Sequence, residues 1–128
     1  MKLLITFLLA GILLLGSCTA QPEPYFPVQK EVAKQDMLAL LSGKLVMDSH
    51  GYLKIAGELI LWYHGFSYQI EGKAIWILND KGSKVFRVGD SVTIGGGELP
   101  DYAVEEKIGH PLPENAKGPY WQMAHMAD

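Results

Sequence analysis

Cysteine is almost absent from this sequence, which has one cysteine, Cys18, among 128 residues. A single cysteine cannot form an internal disulfide framework, so the chain is not one of the small domains that disulfides stabilise. Basic residues are also few, because 11 Lys and Arg stand against 14 Asp and Glu, a net charge of −3. Such a chain lacks the concentrated positive charge that attracts nucleic acid, and we expect no nucleic-acid partner.

The sequence also lacks the spaced motifs of common catalytic and metal sites. It contains no Gly-x-Ser-x-Gly elbow, so nucleophilic catalysis has no obvious residue. Its four histidines do not recur at a ligand spacing such as H-x-x-x-H. We therefore predict a protein that is not an enzyme, has no cofactor and has no assigned metal ligands. The histidines are His50, His64, His110 and His125.

Residues 1–17 have the layout of a signal peptide. A short basic start, Met1-Lys2, precedes an uncharged and almost wholly apolar run over residues 3–15, and Gly16-Ser17 supplies the small residues that precede cleavage. A membrane-spanning helix would need about 20 mostly apolar residues, and this run ends after 13. The pattern therefore predicts export rather than a membrane span.

The tetrapeptide Leu15-Gly16-Ser17-Cys18 resembles the lipobox of bacterial lipoproteins. In that family the cysteine thiol is joined to a diacylglycerol, the chain is cut just before it, and the new amino group is usually acylated. The resemblance implies lipidation at Cys18 and a protein anchored to a bacterial membrane. Thr19, where an aspartate would indicate inner-membrane retention, allows the outer membrane in a host with two membranes. In a host with one, the protein would lie on the outer face of the plasma membrane. The alternative is a secretory peptide cleaved near Ala20.

The exported part divides into a tether and one domain. Residues 18–27 contain three prolines, which favour an extended chain. With the lipid on Cys18, we expect this segment to be a lipidated tether. Residues 28–128 are enough for a single small domain. Within it, Val28 to Leu41 places four apolar residues on approximately one helical face, which predicts a short N-terminal helix.

From Lys44 to Glu98 the pattern is that of short strands separated by turn residues. A small sheet that is apolar on both faces is best stabilised by closing into a barrel. We therefore predict a mainly β fold, a small antiparallel barrel of OB-like or SH3-like type. We expect one or two helical turns at Asp101 to Ile108, followed by an extended, Pro-rich C-terminal tail anchored by Tyr120 and Trp121. The seven predicted strands are Leu45 to Asp48, Tyr52 to Ile55, Glu58 to Tyr63, Phe66 to Ile70, Ala74 to Leu78, Lys84 to Val88 and Ser91 to Ile94.

Four segments together resemble a pattern found in small uncharacterised bacterial exported proteins. Those proteins commonly contain Trp-Pro-x-Gly-Phe-Ser, Arg-Val-Gly-Asp-x-Val and Gly-Gly-Gly-Glu in the same order. Tyr63 stands here in place of the expected proline. The resemblance covers about residues 44–121 and implies no activity. The segments are Leu61 to Ser67, Arg87 to Val92, Gly95 to Glu98 and Gly118 to Trp121.

Aromatic residues are concentrated between positions 62 and 76. Most must form the core, but an outward-facing Trp62 or Tyr63 would offer a stacking platform for sugars or for a hydrophobic peptide. Together with the turn residue His64 and the only arginine, Arg87, they form the predicted ligand or partner surface. Arg87 has a structural interpretation as well, because Asp90 or Glu98 lies within reach.

These observations predict a membrane-anchored cell-envelope lipoprotein that is a non-enzymatic binding or structural module. Its expected partners are the membrane, through the lipid on Cys18, and an envelope protein or glycan. The alternative is a ligand- or metal-binding module for glycan or copper. Copper is considered because Met123, His125 and Met126 offer thioether and imidazole donors that suit Cu(I).

Overall fold

The computed structural model describes residues 21–33 and 37–126, so the predicted signal peptide and Cys18 lie outside the described residues. The described part contains eight strands and one helix of eight residues. Each of the seven predicted strands overlaps one of the eight. The elements are β1 (Ala39–Met47), β2 (Leu53–Ile55), β3 (Glu58–Leu61), β4 (Ser67–Glu71), β5 (Ala74–Leu78), β6 (Lys84–Arg87), β7 (Ser91–Leu99), α1 (Asp101–Ile108) and β8 (Tyr120–Met123).

Five of the strands close into a barrel in the order β1-β2-β3-β8-β7, with β7 returning to β1. Neighbouring strands are antiparallel except β3 and β8, which are parallel with Ile60 opposite Trp121. Ala56 and Gly57 join β2 to β3 in a two-residue turn, with φ values of 50° and 79°. Because both values are positive, this turn has the backbone that matches the twist of a hairpin. The mainly β fold with a small barrel is confirmed.

The other three strands, β4, β5 and β6, form an antiparallel sheet that is inserted between β3 and β7. Its inner face carries Ile75 and Ile77, which are 6% and 0% exposed. The Ile77 side chain joins the same apolar cluster as Trp62 and the barrel residues Leu45 and Ile94. The inserted sheet therefore extends the barrel core instead of forming a second domain.

A second apolar cluster lies where α1 packs on the barrel. Val104 and Ile108 are buried, and they cluster with Leu59 and Tyr120 of the parallel pair β3 and β8. The helix ends at Gly109, which takes the left-handed conformation that commonly terminates helices. The helical turns predicted at residues 101–108 are confirmed.

The predicted N-terminal helix over Val28 to Leu41 is wrong. Val28 forms a parallel bridge with Trp62, and β1 already begins at Ala39. The apolar residues at the end of this stretch belong to extended chain, because Leu41 is buried in the barrel core and the preceding residue, Leu40, is exposed. That alternation is the period of a strand, which four loosely spaced apolar residues did not distinguish from a helical face.

A separate C-terminal tail is not confirmed, because residues 120–123 are strand β8 of the barrel. β8 pairs with β3 on one side and with β7 on the other. Tyr120 and Trp121 are 4% and 5% exposed. They were expected to anchor a tail onto the barrel, and instead they contribute to the barrel wall and its two apolar clusters.

Candidate binding groove

An extended N-terminal segment, residues 24–30, is hydrogen-bonded to the barrel. The backbone N–H of Tyr25 donates to the carbonyl of Gly51 at 2.9 Å. Trp62 donates its N–H to the carbonyl of Pro27 and accepts from the N–H of Gln29, both at 2.9 Å. Lys30 donates its N–H to the carbonyl of Lys107 in α1, also at 2.9 Å. Four backbone bonds therefore fix this segment, so the part of the predicted tether from Pro24 to Pro27 belongs to the folded domain.

Gln29 provides the side-chain contacts that hold this segment in place. Its side-chain amide donates to the carbonyls of Leu61 at 3.1 Å and Met123 at 2.8 Å, and its Oε1 accepts from Gln122 Nε2 at 3.2 Å. Gln29 is only 2% exposed. Leu61 and Met123 are the last residues of β3 and β8, so one buried amide binds backbone carbonyls at the end of the parallel pair.

A groove of about 630 Å³ is lined by residues of this segment, of α1 and of the strands β7 and β8. That volume lies within the range of about 300–1,000 Å³ typical of ligand pockets. The buried amides of Gln29 and Gln122 lie on its lining, together with apolar side chains and exposed charges of both signs. Residues 34–36, which follow Ala33, lie outside the described residues. The lining residues are Gln29, Lys30, Glu31, Val32, Ala33, Met37, Leu99, Glu106, Lys107 and Gln122.

A cluster of aromatic and polar side chains holds the start of the segment. The ring of Tyr25 meets that of Tyr52 edge-on at 5.6 Å and that of His110 at 6.4 Å. Tyr52 donates its hydroxyl to Asn115 Oδ1, and Asn115 Nδ2 donates to His50 Nδ1 at 3.1 Å. The chain of hydrogen bonds leaves the proton of a neutral His50 on Nε2.

The hydroxyl of Tyr25 is buried and has no hydrogen-bond partner among the described residues. Burial raises the pKa of Tyr25 to about 12, and the charges of Tyr52, Tyr120 and Glu105 add to the effect. Tyr25 is therefore a neutral phenol at physiological pH. Its role in the cluster is to pack and to fix the chain, since it supplies no ionised oxygen.

Two of the four residues predicted to form a surface, Trp62 and Tyr63, are buried at 0% and 6% exposure. The ring of Trp62 stacks on that of Phe26 at 4.9 Å. Tyr63 packs edge-on against the ring of His125 at 5.1 Å. The alternation of aromatic residues correctly marks a core region, and the N-terminal segment covers the aromatic face that would otherwise be open.

The other two, His64 and Arg87, are exposed, but they contact different parts of the structure. His64 Nδ1 donates to the carbonyl of Gln29 at 3.1 Å, which places it beside the N-terminal segment. Arg87 lies 5.9 Å from the ring centroid of Trp76 and 4.0 Å from Asp90. Of the four residues of the predicted ligand or partner surface, only His64 and Arg87 are accessible to a ligand or partner.

The donors considered for copper are not arranged as a set. Met123 is fully buried in the core, Met126 is partly buried against it, and His125 is exposed. Over residues 21–33 and 37–126, no three His, Cys, Asp or Glu side chains form a group that could hold a metal ion. No observation in the structure favours the copper alternative.

A buried carboxyl group, Glu58, was not recognised from the sequence. Glu58 is 8% exposed, and its Oε1 has no hydrogen-bond partner in the described part of the chain. Burial raises its pKa, and the charge of Glu98 raises it further. A glutamate at the start of a strand carries no signal of burial, so this group could be found only from the folded barrel.

Comparisons with family models, with curated proteins and with solved structures find no match. Where the structure is described, no helix has the length and apolar character needed to span a bilayer.

Proposed function

We propose that the chain is an exported lipoprotein, anchored through a lipid on Cys18, whose domain is a non-enzymatic binding module of the bacterial cell envelope. The lipobox and signal-peptide pattern support export and anchoring. The groove beside residues 29–33 supports binding, and it is the observation that carries the proposal. In a host with two membranes the expected location is the outer membrane, and in a host with one it is the outer face of the plasma membrane.

We further propose that the barrel is of the OB type. Support comes from the strand order, because β1, β2 and β3 are consecutive antiparallel neighbours and β7 returns to lie beside β1. That arrangement is a Greek key. A fifth strand, β8, closes the barrel between β3 and β7. A five-stranded Greek-key barrel is the architecture of OB domains, which bind varied ligands.

The groove favours a peptide segment of an envelope protein over a glycan. The described residues of its lining include aliphatic and thioether side chains and no aromatic ring on which a sugar would stack. Val32 is 59% exposed and Met37 36% exposed, so both offer apolar surface to a partner. Lys30 and Glu106 place opposite charges on the same lining. Apolar contacts beside charges of both signs suit a polypeptide that presents mixed side chains.

The anchor would hold this groove close to the membrane. Only five residues lie between Cys18 and Pro24, the first buried residue of the domain, so six Cα–Cα steps join them. At about 3.3–3.6 Å per residue, they span at most about 20 Å. The partner is therefore expected at the membrane surface, within reach of the lipid headgroups.

Anchoring is tested by Cys18→Ala in the full chain. We expect this variant to lose incorporation of labelled palmitate and to leave the membrane fraction, because lipid is the proposed attachment. Thr19→Ala is the matched control and should remain labelled and membrane-bound. Membrane attachment of the Cys18→Ala variant without label would refute the lipid anchor.

Binding is tested by a photo-crosslinking amino acid placed at Val32 of the full chain in its host. A crosslinked envelope protein is expected from this position, because the side chain lies on the groove. The same amino acid at Ser83, an exposed turn residue between β5 and β6, is the control. Identical products from both positions, or none from Val32, would contradict the proposed groove partner.

A further inference from the structure

The three-stranded sheet β4-β5-β6 has two edge strands, whereas the five-stranded barrel is closed and has none. Edge strands present unpaired N–H and C=O groups that can pair with another chain, and proteins usually block them with charges, bulges or covering groups. The two edges of this sheet differ in how far they are blocked.

The β6 edge is blocked by its own loop. Arg87 donates its N–H to Asp90 Oδ2 at 3.0 Å and accepts at its carbonyl from the N–H of Asp90 at 3.0 Å. The pairing of β5 with β6 is also irregular between Ile77 and Leu78. Lys84 and Arg87 add positive charge to the edge. Each of these features hinders addition of a strand beside β6.

The β4 edge has no such loop contact and no irregular pairing, and its one charged side chain, Glu71, is paired with Lys84 at 2.8 Å. Gly72 and Lys73 form a two-residue turn, and Gly72 has a φ of 60°, so Glu71 and Ala74 form the hydrogen-bonded pair that closes the hairpin. The pairing alternates along antiparallel strands, so Tyr68 and Ile70 direct their N–H and C=O groups away from β5. Elsewhere in the described chain, no segment bonds to them. The Ile70 side chain is 52% exposed.

We propose that this edge is a homodimer interface in which β4 pairs antiparallel with β4 of a second copy, about a two-fold axis at Gln69. In that register Tyr68 lies opposite Ile70 of the second copy, and the reverse pair is equivalent. Both residues have their backbone groups turned outward, so the two pairs form four hydrogen bonds. The dimer joins the two sheets into one of six strands.

The side chains of β4 suit pairing with themselves. Each two-fold pair of Tyr68 and Ile70 is a contact of an aromatic with a β-branched side chain, which stabilises adjacent strands, and it covers the exposed Ile70. Ser67 falls opposite Glu71 of the second copy, so no like charges meet. Gln69, on the axis, is neutral. A second copy therefore satisfies the edge without any further partner.

The interface is small, because it adds one five-residue strand from each copy. Stable dimers usually bury more than about 1,200 Å², so the dimer is expected to be weak in dilute solution. Confinement to a membrane raises the effective concentration of one copy near another.

The first test places a thiol on the axis by Gln69→Cys in the full chain, in membranes of the expressing bacterium. Opposite residues at a non-hydrogen-bonded position have Cα atoms about 4.5 Å apart, within the range of about 4.4–6.8 Å for disulfides. Mild oxidation should give a dimer whose linked peptides, identified by mass spectrometry, join the two positions 69. Ser83→Cys, on an exposed turn of the same sheet, is the matched control and should give at least tenfold less. Equal crosslinking at both positions, or capture of a different protein at position 69, would overturn the proposal.

The second test removes the outward N–H in the crosslinking background. Ile70→Pro lacks a donor that β5 does not use, so it should abolish the crosslink while the melting temperature stays close to that of the parent. Ile70→Lys, which keeps the backbone donor and adds charge to the edge, should reduce the crosslink several-fold. If either folded variant crosslinks as well as the parent, β4 pairing is not the interface. The dimer does not depend on lipidation, so its failure is separate from a failure of the anchor: detergent-solubilised protein at high concentration must give the same 69-to-69 peptide.

Discussion

Replacing Glu58 should stabilise the protein, and the gain should depend on pH. Glu58 lies on β3 on the same side as Ile60 and Trp62, which are in the barrel core. The residue is 8% exposed, and its Oε1 has no hydrogen-bond partner among the described residues. Burial raises the pKa of the carboxyl group, and the negative charge of Glu98 raises it further. The variants Glu58→Gln and Glu58→Met remove the charge, and the second also removes the polar oxygens.

The sign of the effect follows from the raised pKa. Between the ordinary pKa of 4.5 and the higher pKa of the folded state, the folded state binds more protons than the unfolded state. The free energy of unfolding of the parent therefore falls as pH rises through that window. An unsatisfied buried polar group costs about 1–3 kcal/mol, and a charged group more. We therefore expect Glu58→Gln to gain about 1–2 kcal/mol at pH 7 and nothing at pH 4.

The assay is thermal unfolding of parent and variant from pH 4 to pH 8, at the same ionic strength. For a domain of this size, about 1 kcal/mol shifts the melting temperature by roughly 4–8 °C. Glu114→Gln, an exposed glutamate in the loop after α1, is the matched control and should leave the curve unchanged. If the melting temperatures of Glu58→Gln and the parent change with pH in parallel, or if Glu58→Gln is less stable at pH 7, then Glu58 is not a buried, unpaired charge at neutral pH.

Five further substitutions test the packing around the barrel and the N-terminal segment by the same melting assay. Gly96→Ala should lower the free energy of unfolding by about 3 kcal/mol or more, because a Cβ there would lie 1.9 Å from the carbonyl oxygen of Gln122 and φ is +145°. Gly57→Ala, where φ is also positive but the space is open, should lower it by only about 1–2 kcal/mol. Equal losses from the two substitutions would refute the steric argument. Gln29→Met keeps the length but removes the amide donor from two buried carbonyls and the acceptor from Gln122, so we expect a loss of about 2–3 kcal/mol. A neutral result would mean that water replaces the amide. Tyr25→Phe removes a hydroxyl without a partner and should be neutral or stabilising, whereas Tyr52→Phe removes the bond to Asn115 and should destabilise; the opposite order would contradict the hydrogen-bond assignment.

The strands were predictable because local patterns determine them. The run from Ala74 to Leu78 is apolar throughout, and the turn residues on either side mark its ends, so β5 was predicted with the observed bounds. The first strand was predicted to begin six residues too late because Ala39 to Lys44 alternates only weakly, with Leu40 exposed and Leu41 buried. Chain segments whose pattern is weak are assigned by their partners, and β1 is set by its pairing with β7.

The groove was not predictable because it depends on contacts between distant parts of the chain. Gln29 bonds to Met123, which is 94 residues away in the sequence, and no local pattern indicates that a glutamine after a proline-rich run will be buried. The same long-range contact explains the misplaced aromatic surface. Trp62 lies on the part of the barrel that Phe26 covers, and sequence periodicity describes which residues share a face but not which segment packs over it.

The N-terminal segment connects the proposed anchor mechanically to the groove. A pull on the lipid at Cys18 would be transmitted through Pro24 to Tyr25, whose N–H is bonded to Gly51 on the β1–β2 loop. Further along, Gln29 is bonded to β3 and β8 before the chain forms the groove lining at Lys30 to Ala33. The hydrogen bonds of Tyr25 and Gln29 to the barrel would therefore bear a pull from the membrane before it acted on Lys30 to Ala33. For this reason the groove should keep its shape while the domain moves on its tether, which a binding site near a membrane surface requires.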